Sequence, residues 1–207
     1  MRRSVRILGL VQEQIPGSVL CGDFLAVGKT QMFLRSFRLL TAARKNHNDL
    51  YRRVTPLWRP REGPSSSFGG IIKHPDTYWT VTDPKDHRKS AALVLEQIAP
   101  FVPEYERIET VEDFLSYFDF MRPNMSVPVQ LDFALADYLI GDISRCERAL
   151  THVKSVLDDH DDRWFINDRP AFGQVRAQLD SDPAGLRALI ETWRKENIER
   201  LGLTPSP

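Results

Sequence analysis

The chain has 207 residues, 42% of them hydrophobic, and its 28 lysines and arginines are matched by 28 aspartates and glutamates. Such a length and apolar content are enough for a packed core and exclude wholesale disorder. The balanced charge removes the usual first sign of a polyanionic partner or an anionic membrane surface.

In chain order, Val5, Ile7, Leu8 and Val11 form an apolar stripe that predicts a short helix over Val5 to Gln14, ended by Pro16-Gly17. Three segments rich in aromatic and branched residues, Val19 to Val27, Gln31 to Thr41 and Leu50 to Trp58, predict strands. Gly28 and the polar run Arg44 to Asp49 separate them, and such short connections imply an antiparallel meander. Pro60 to Ser67 is a loop by composition; Phe68 to Lys73 predicts a further strand and Tyr78 to Val81 a short one.

From Asp83 onward the periodicity is helical. Asp83 before Pro84 has the form of an N-cap and first-turn proline, ahead of Ala91, Val94, Leu95 and Ile98 on one face, and Pro100 should stop that helix. Thr110 and Asp113 form a capping box before Val111, Phe114, Leu115 and Phe118. Leu131, Ala134, Leu135 and Tyr138 repeat the spacing, Gly141 suits a left-handed cap, and Asp142 opens a helix carrying Cys146, Leu150, Val153 and Leu157. The pair predicts an antiparallel helical hairpin. Two more helices open at Asp168-Arg169-Pro170 and Asp182-Pro183, the last ending at Gly202 before a tail, Thr204 to Pro207. The expected fold class is α+β, with a small antiparallel sheet from residues 19–81 packed against helices from residues 83–201 in one domain spanning 1–203.

Cys21 and Cys146 are too few and too far apart for a disulfide framework, and both are expected reduced and buried. No window approaches the roughly 18 apolar residues of a membrane span. The apolar run after Met1-Arg2-Arg3 is broken by Gln12, Glu13 and Gln14, so no signal peptide is expected and the default location is the cytoplasm.

Gly22 to Thr30 (GDFLAVGKT) resembles a phosphate-binding loop but carries one residue too many before Gly-Lys-Thr, and a strand rather than a helix should follow, so a simple turn at Gly28-Lys29 is expected. Asp158 to Asp162 is dense in carboxylates, but five adjacent residues point in different directions and cannot converge on one ion. No two of His47, His74, His87, His152 and His160 share the spacing of a helical zinc site, and no serine sits in a nucleophile elbow. No cofactor or metal is therefore expected. Arg35, Arg38, Arg44, Lys45, Arg52, Arg53, Arg59 and Arg61 crowd the first third, either as solvated strand edges or as a docking face.

Tyr51 to Pro60 (YRRVTPLWRP), Ser67 to Ile72 (SFGGII), Tyr78-Trp79 and Ala134 to Ala149 (ALADYLIGDISRCERA) together resemble a family of uncharacterised bacterial proteins, a domain of unknown function. In that family a strand with a PL-x-x-P pattern precedes one with FG, and a tetratricopeptide-like hairpin follows. The resemblance covers about residues 31 to 157, and it implies the fold and no catalytic residues. Only one such hairpin is present, whereas a solenoid needs about three repeats.

The function expected on these grounds is a non-enzymatic protein-binding or regulatory module, of immunity type for example, with a protein partner or a second copy of itself. The rival is an enzyme or small-ligand binder whose pocket lies between sheet and helices, lined by Arg52, Trp58, Phe68, His74 and Trp79. A nucleic-acid binder using the arginine-rich strands Arg35 to Arg53 is a third reading, disfavoured by the neutral charge.

Overall fold

A computed structural model describes residues 3–41, 47–60, 68–74, 80–124, 126–160, 165–166 and 168–203. Thr204 to Pro207, the expected tail, lie outside them, as do Arg44, Lys45, Arg61, Tyr78, Trp79, Asp161 and Asp162. The architecture is α+β: an antiparallel sheet from the N-terminal part, and helices mostly C-terminal to it.

The strands are β1 (Val19–Cys21), β2 (Phe24–Ala26), β3 (Phe33–Thr41), β4 (His47–Pro56), β5 (Phe68–Ile72) and β6 (Thr80–Val81). They lie in the order β1-β2-β3-β4-β5, with β6 pairing the start of β4 at His47 and Asn48. Every pairing is antiparallel, so the predicted meander forms. One expectation is corrected: Val19 to Val27 is not one strand but a tight hairpin, with Cys21 opposite Phe24 and Gly22 at φ 60° in the turn. Apolar residues on both sides hide that turn, and glycine supplies the positive φ that a two-residue connection demands.

Register sorts the side chains. Leu39, Leu50 and Ile72 line up across β3, β4 and β5, as do Val54 and Phe68, and all five are buried in the main core. On the opposite face Cys21, Phe24, Ala26 and Leu34 pack with Leu57, Ile198 and Leu203 in a second cluster. Gly69, opposite Arg53, holds φ 127°; a Cβ there would lie 2.1 Å from the Arg52 carbonyl oxygen, so the close approach of β5 to β4 requires glycine.

The helices are α1 (Arg3–Gln12), α2 (His87–Ile98), α3 (Val102–Glu106), α4 (Val111–Phe118), α5 (Val127–Leu139), α6 (Ile143–Asp159), α7 (Asp168–Ser181) and α8 (Pro183–Arg200). Two 3-10 segments, Ala99–Phe101 and Asp119–Asn124, follow α2 and α4. The start of α2 departs from expectation: Asp86 is its cap, accepting from the Lys89 N–H at 2.9 Å, while Asp83 accepts from the Lys85 N–H in a preceding turn. Both aspartates are chemically competent, and the one nearer the apolar stripe caps it. The end of α2 is as expected, at Ile98 just before Pro100, although a 3-10 turn and α3 continue the path, since Pro100 and Pro103 occupy first-turn positions where a missing N–H costs nothing.

The α5–α6 hairpin forms as expected: Gly141 takes φ 84°, and the Asp142 side chain accepts from the Arg145 N–H at 2.9 Å. The helix α5 is unlike its neighbours, since eleven of its thirteen residues are buried and it has no solvent face. Between it and the sheet sits Phe114 of α4, fully buried, with ring centroids at 4.6 Å to Phe68, 5.3 Å to each of Phe33, Trp58 and Phe118, and 5.8 Å to Phe133.

Two predictions follow from this packing. Phe114→Ala, which empties the aromatic centre, should cost about 3–5 kcal/mol in urea unfolding, and Phe114→Leu clearly less. The second concerns the capping box, in which Asp113 accepts from the Thr110 N–H at 2.9 Å and the Glu109 N–H at 3.2 Å. Those bonds, Thr110's foremost, hold its carboxyl below the ordinary value. A depressed folded-state value stabilises above the unfolded value of about 3.9, and that contribution is lost as pH falls through the folded one. The melting-temperature gap between the native protein and Asp113→Ala should therefore narrow on acidification below about pH 4.

Candidate functional site

The residues expected to line a sheet–helix pocket are placed as follows. Trp58 and Phe68 are fully buried and meet through Phe114, whose ring stands edge-on to both. Their aromatic surface is used in packing, and the space between them is occupied by the Phe114 ring. Arg52 leaves the same sheet face at the rim, its guanidinium 4.3 Å over the Phe101 ring and 3.5 Å from the Glu104 carboxylate. His74 is half-buried just beyond β5, and Trp79 lies outside the described residues.

Among the described residues, Arg35, Arg38, Arg53 and Arg59 are engaged within the fold. Arg35 is 2% exposed and donates to the Ile108 carbonyl at 3.0 Å and to the Lys29 carbonyl, pinning the Gly28-Lys29 turn to the loop after α3. Arg38 is paired with Asp23 at 2.5 Å, and Arg53 lies over the Tyr51 ring at 4.8 Å. Arg59 is buried and bridges Asp132 of α5 and Asp168 of α7, both at 2.9 Å. Asn197 of α8 clamps the same stretch of chain by donating to the Leu57 and Arg59 carbonyls at 2.8 and 2.7 Å.

A second polar constellation was not foreseen from the sequence. Asp137 of α5, fully buried, accepts two bonds from Arg122 at 2.8 and 3.0 Å, and the same guanidinium lies 4.2 Å over the Phe133 ring. Arg122 also donates to Asp119 at 2.8 Å, and Asp119 in turn accepts from Arg145 of α6 at 2.6 and 2.7 Å. Burial pushes the Asp137 carboxyl up against the pull of Arg122. Burial also acts on Asp119, but the bonds from Arg145 and Arg122 hold it below the ordinary value. The signal available in the sequence was the pair of aspartates, Asp132 and Asp137, inside an otherwise apolar helix, which demands a cation for each. Which arginines answer could not be read from spacing.

This network opens onto a surface groove of about 360 Å³ lined by Arg122, Gln130, Arg145, Arg148, Ala149 and His152. Beside it, large apolar side chains are exposed: Phe120 at 78%, Ile143 at 43% and Ile140 at 39%. The Asp119–Arg145 pair carries the segment bearing Phe120 to the first turn of α6, two residues from Ile143. Another groove, about 380 Å³, runs between α1 and α2 past Leu10, Glu13, Arg88 and Leu95.

Cys146 is fully buried and its thiol is pushed up to about 12, chiefly by burial; burial raises Cys21 as well. Among the described residues no three histidine, cysteine or carboxylate side chains converge as a metal site. No helix among them is long and apolar enough to cross a membrane. Compared with known protein families, characterised proteins and solved structures, the chain matches none.

Removing one member of the buried pair should expose its cost. Asp137→Ala leaves Arg122 without its main partner and should destabilise by about 3–5 kcal/mol, whereas the double variant Arg122→Met/Asp137→Leu should recover most of that in urea titrations.

Proposed function

We propose that this protein is a non-enzymatic protein-binding module whose docking face is the end of the helical layer bearing Phe120, Ile140 and Ile143. The observation that carries the reading is Phe120: a ring 78% exposed on a 3-10 segment that ion pairs hold in place on either side of it, through Asp119 and Arg122. A mobile surface aromatic needs no explanation, but a braced one presents a fixed apolar contact, the kind of anchor that dominates protein interfaces. The reading is further supported by the filled space around Trp58 and Phe68, which leaves those two side chains no ligand to line a wall for. A regulatory or immunity-type role in a bacterial system is one specific form that such a module would take.

The test is affinity capture from native lysate with the intact protein and with Phe120→Asp, an exposed substitution that should change stability by no more than about 0.5 kcal/mol. A stoichiometric partner, or self-association seen by light scattering, should be present with the native chain and lost with Phe120→Asp at unchanged melting temperature. A partner held equally by both proteins would overturn the assignment of this face.

A further inference from the structure

We infer that the groove between Arg122, Arg145, Arg148 and His152 receives an acidic, extended segment of the protein partner; this rests on the docking reading above and names the partner's chemistry. The residues lining the groove include three arginines and a histidine and no carboxylate. The carboxylates nearest to it are already committed: Asp137 is fully buried beneath Arg122, and Asp119 is shared between Arg122 and Arg145. Arg148 and His152 are exposed, and among the described residues they make no hydrogen bond or ion pair. That sets them apart from the arginines of the sheet, each of which is packed, bonded or stacked inside the fold.

Spacing selects the ligand. Arg145, Arg148 and His152 share one face of α6 and extend over about 10 Å at 1.5 Å per residue, with Ala149 as a low floor between them. A single phosphate cannot meet both ends of such a row. An extended peptide sets alternate side chains about 7 Å apart, so two or three carboxylates on one edge of it reach successive hydrogen-bond donors of the row. Asp119 and Glu147 border the groove and confine the positive field to a strip one helix face wide, which suits a peptide better than a nucleic-acid strand.

The experiment uses the full chain and labelled probes in fluorescence anisotropy at low salt: a six-glutamate peptide, a six-lysine peptide, a single-stranded oligonucleotide, and inorganic phosphate as competitor. The six-glutamate peptide should bind, should be released by 0.5 M salt (on the order of a 4 Å screening length), and should bind about tenfold more weakly to Arg148→Glu. His152→Gln should weaken it less. Failure of the peptide to bind, or binding indifferent to Arg148→Glu, would overturn the inference. So would tighter binding of the oligonucleotide, or full displacement by millimolar phosphate. If the captured partner is lost with Phe120→Asp but kept by Arg148→Glu, the docking face stands and the acidic-segment inference falls. Loss of peptide binding with Arg148→Glu alone, beside a partner indifferent to Phe120→Asp, supports the groove and removes the docking face.

Discussion

A helix buried on every side cannot carry carboxylates unless cations are brought to them. That constraint organises this fold, because α5 lies at its centre with Asp132 and Asp137 both fully buried. An isolated buried carboxylate would cost several kcal/mol, so each must be matched by a guanidinium with good geometry. Arg59, just past the end of β4, answers Asp132 and bonds Asp168 of α7 as well. Arg122, from the segment that precedes α5, answers Asp137. The first pair joins the sheet to two helices and the second folds the α4–α5 connection back along α5. A hydrophobic core alone is tolerant of sliding, whereas these pairs admit one register between the layers.

The same requirement explains where the basic first third of the chain spends its charge. Arg35 is consumed in joining two loops through their carbonyls, Arg59 in the buried network, and Arg52, Arg38 and Arg53 in stacking or pairing at the sheet's rim and far face. A cluster that looks like a basic surface in the sequence is, for these described residues, internal wiring. The aromatic residues behave likewise. Trp58 and Phe68, whose spacing along the chain suggested a pocket wall, are drawn together by Phe114 into a continuous set of edge-to-face contacts, each worth about 0.5–1.5 kcal/mol beyond its buried area.

Local patterns carried the fold well, and long-range pairing set their limit. The capping box at Thr110 and Asp113, the hairpin through Gly141 and Asp142, and the antiparallel order of β3, β4 and β5 are written in contiguous residues, although β4 starts at His47, inside the polar run Arg44 to Asp49 expected to be a connection, and ends at Pro56. The turn at Gly22 was missed because Phe24 and Leu25 continue an apolar run, and the α2 cap because Asp83 and Asp86 compete within one turn. The groove was illegible for a different reason. Its three arginines and its histidine come from positions 122, 145, 148 and 152 on two elements, and the placing of Arg122 and Arg145 depends on Asp119 and Asp137, which no periodicity reveals. The buried or outward fate of an arginine follows from where the carboxylates are, and that is a tertiary fact.

The outer face of α6 is therefore an unequal surface. Arg145 is held by Asp119 on one side, Glu147 is turned toward Arg176 of α7 on the other, and Arg148 and His152 are exposed to solvent. Neutralising those two from within would have needed one further carboxylate on α5 or in the 3-10 segment, and Gln130 stands in the groove wall with its amide donated to the Arg122 carbonyl at 2.6 Å. Phe120 stands exposed on a segment whose ion pairs, through Asp119 and Arg122, already order it on both sides. The buried carboxylates of α5 thus have an effect at the surface: by fixing Arg122 and, through Asp119, Arg145, they set the frame in which Arg148 and His152 face outward together.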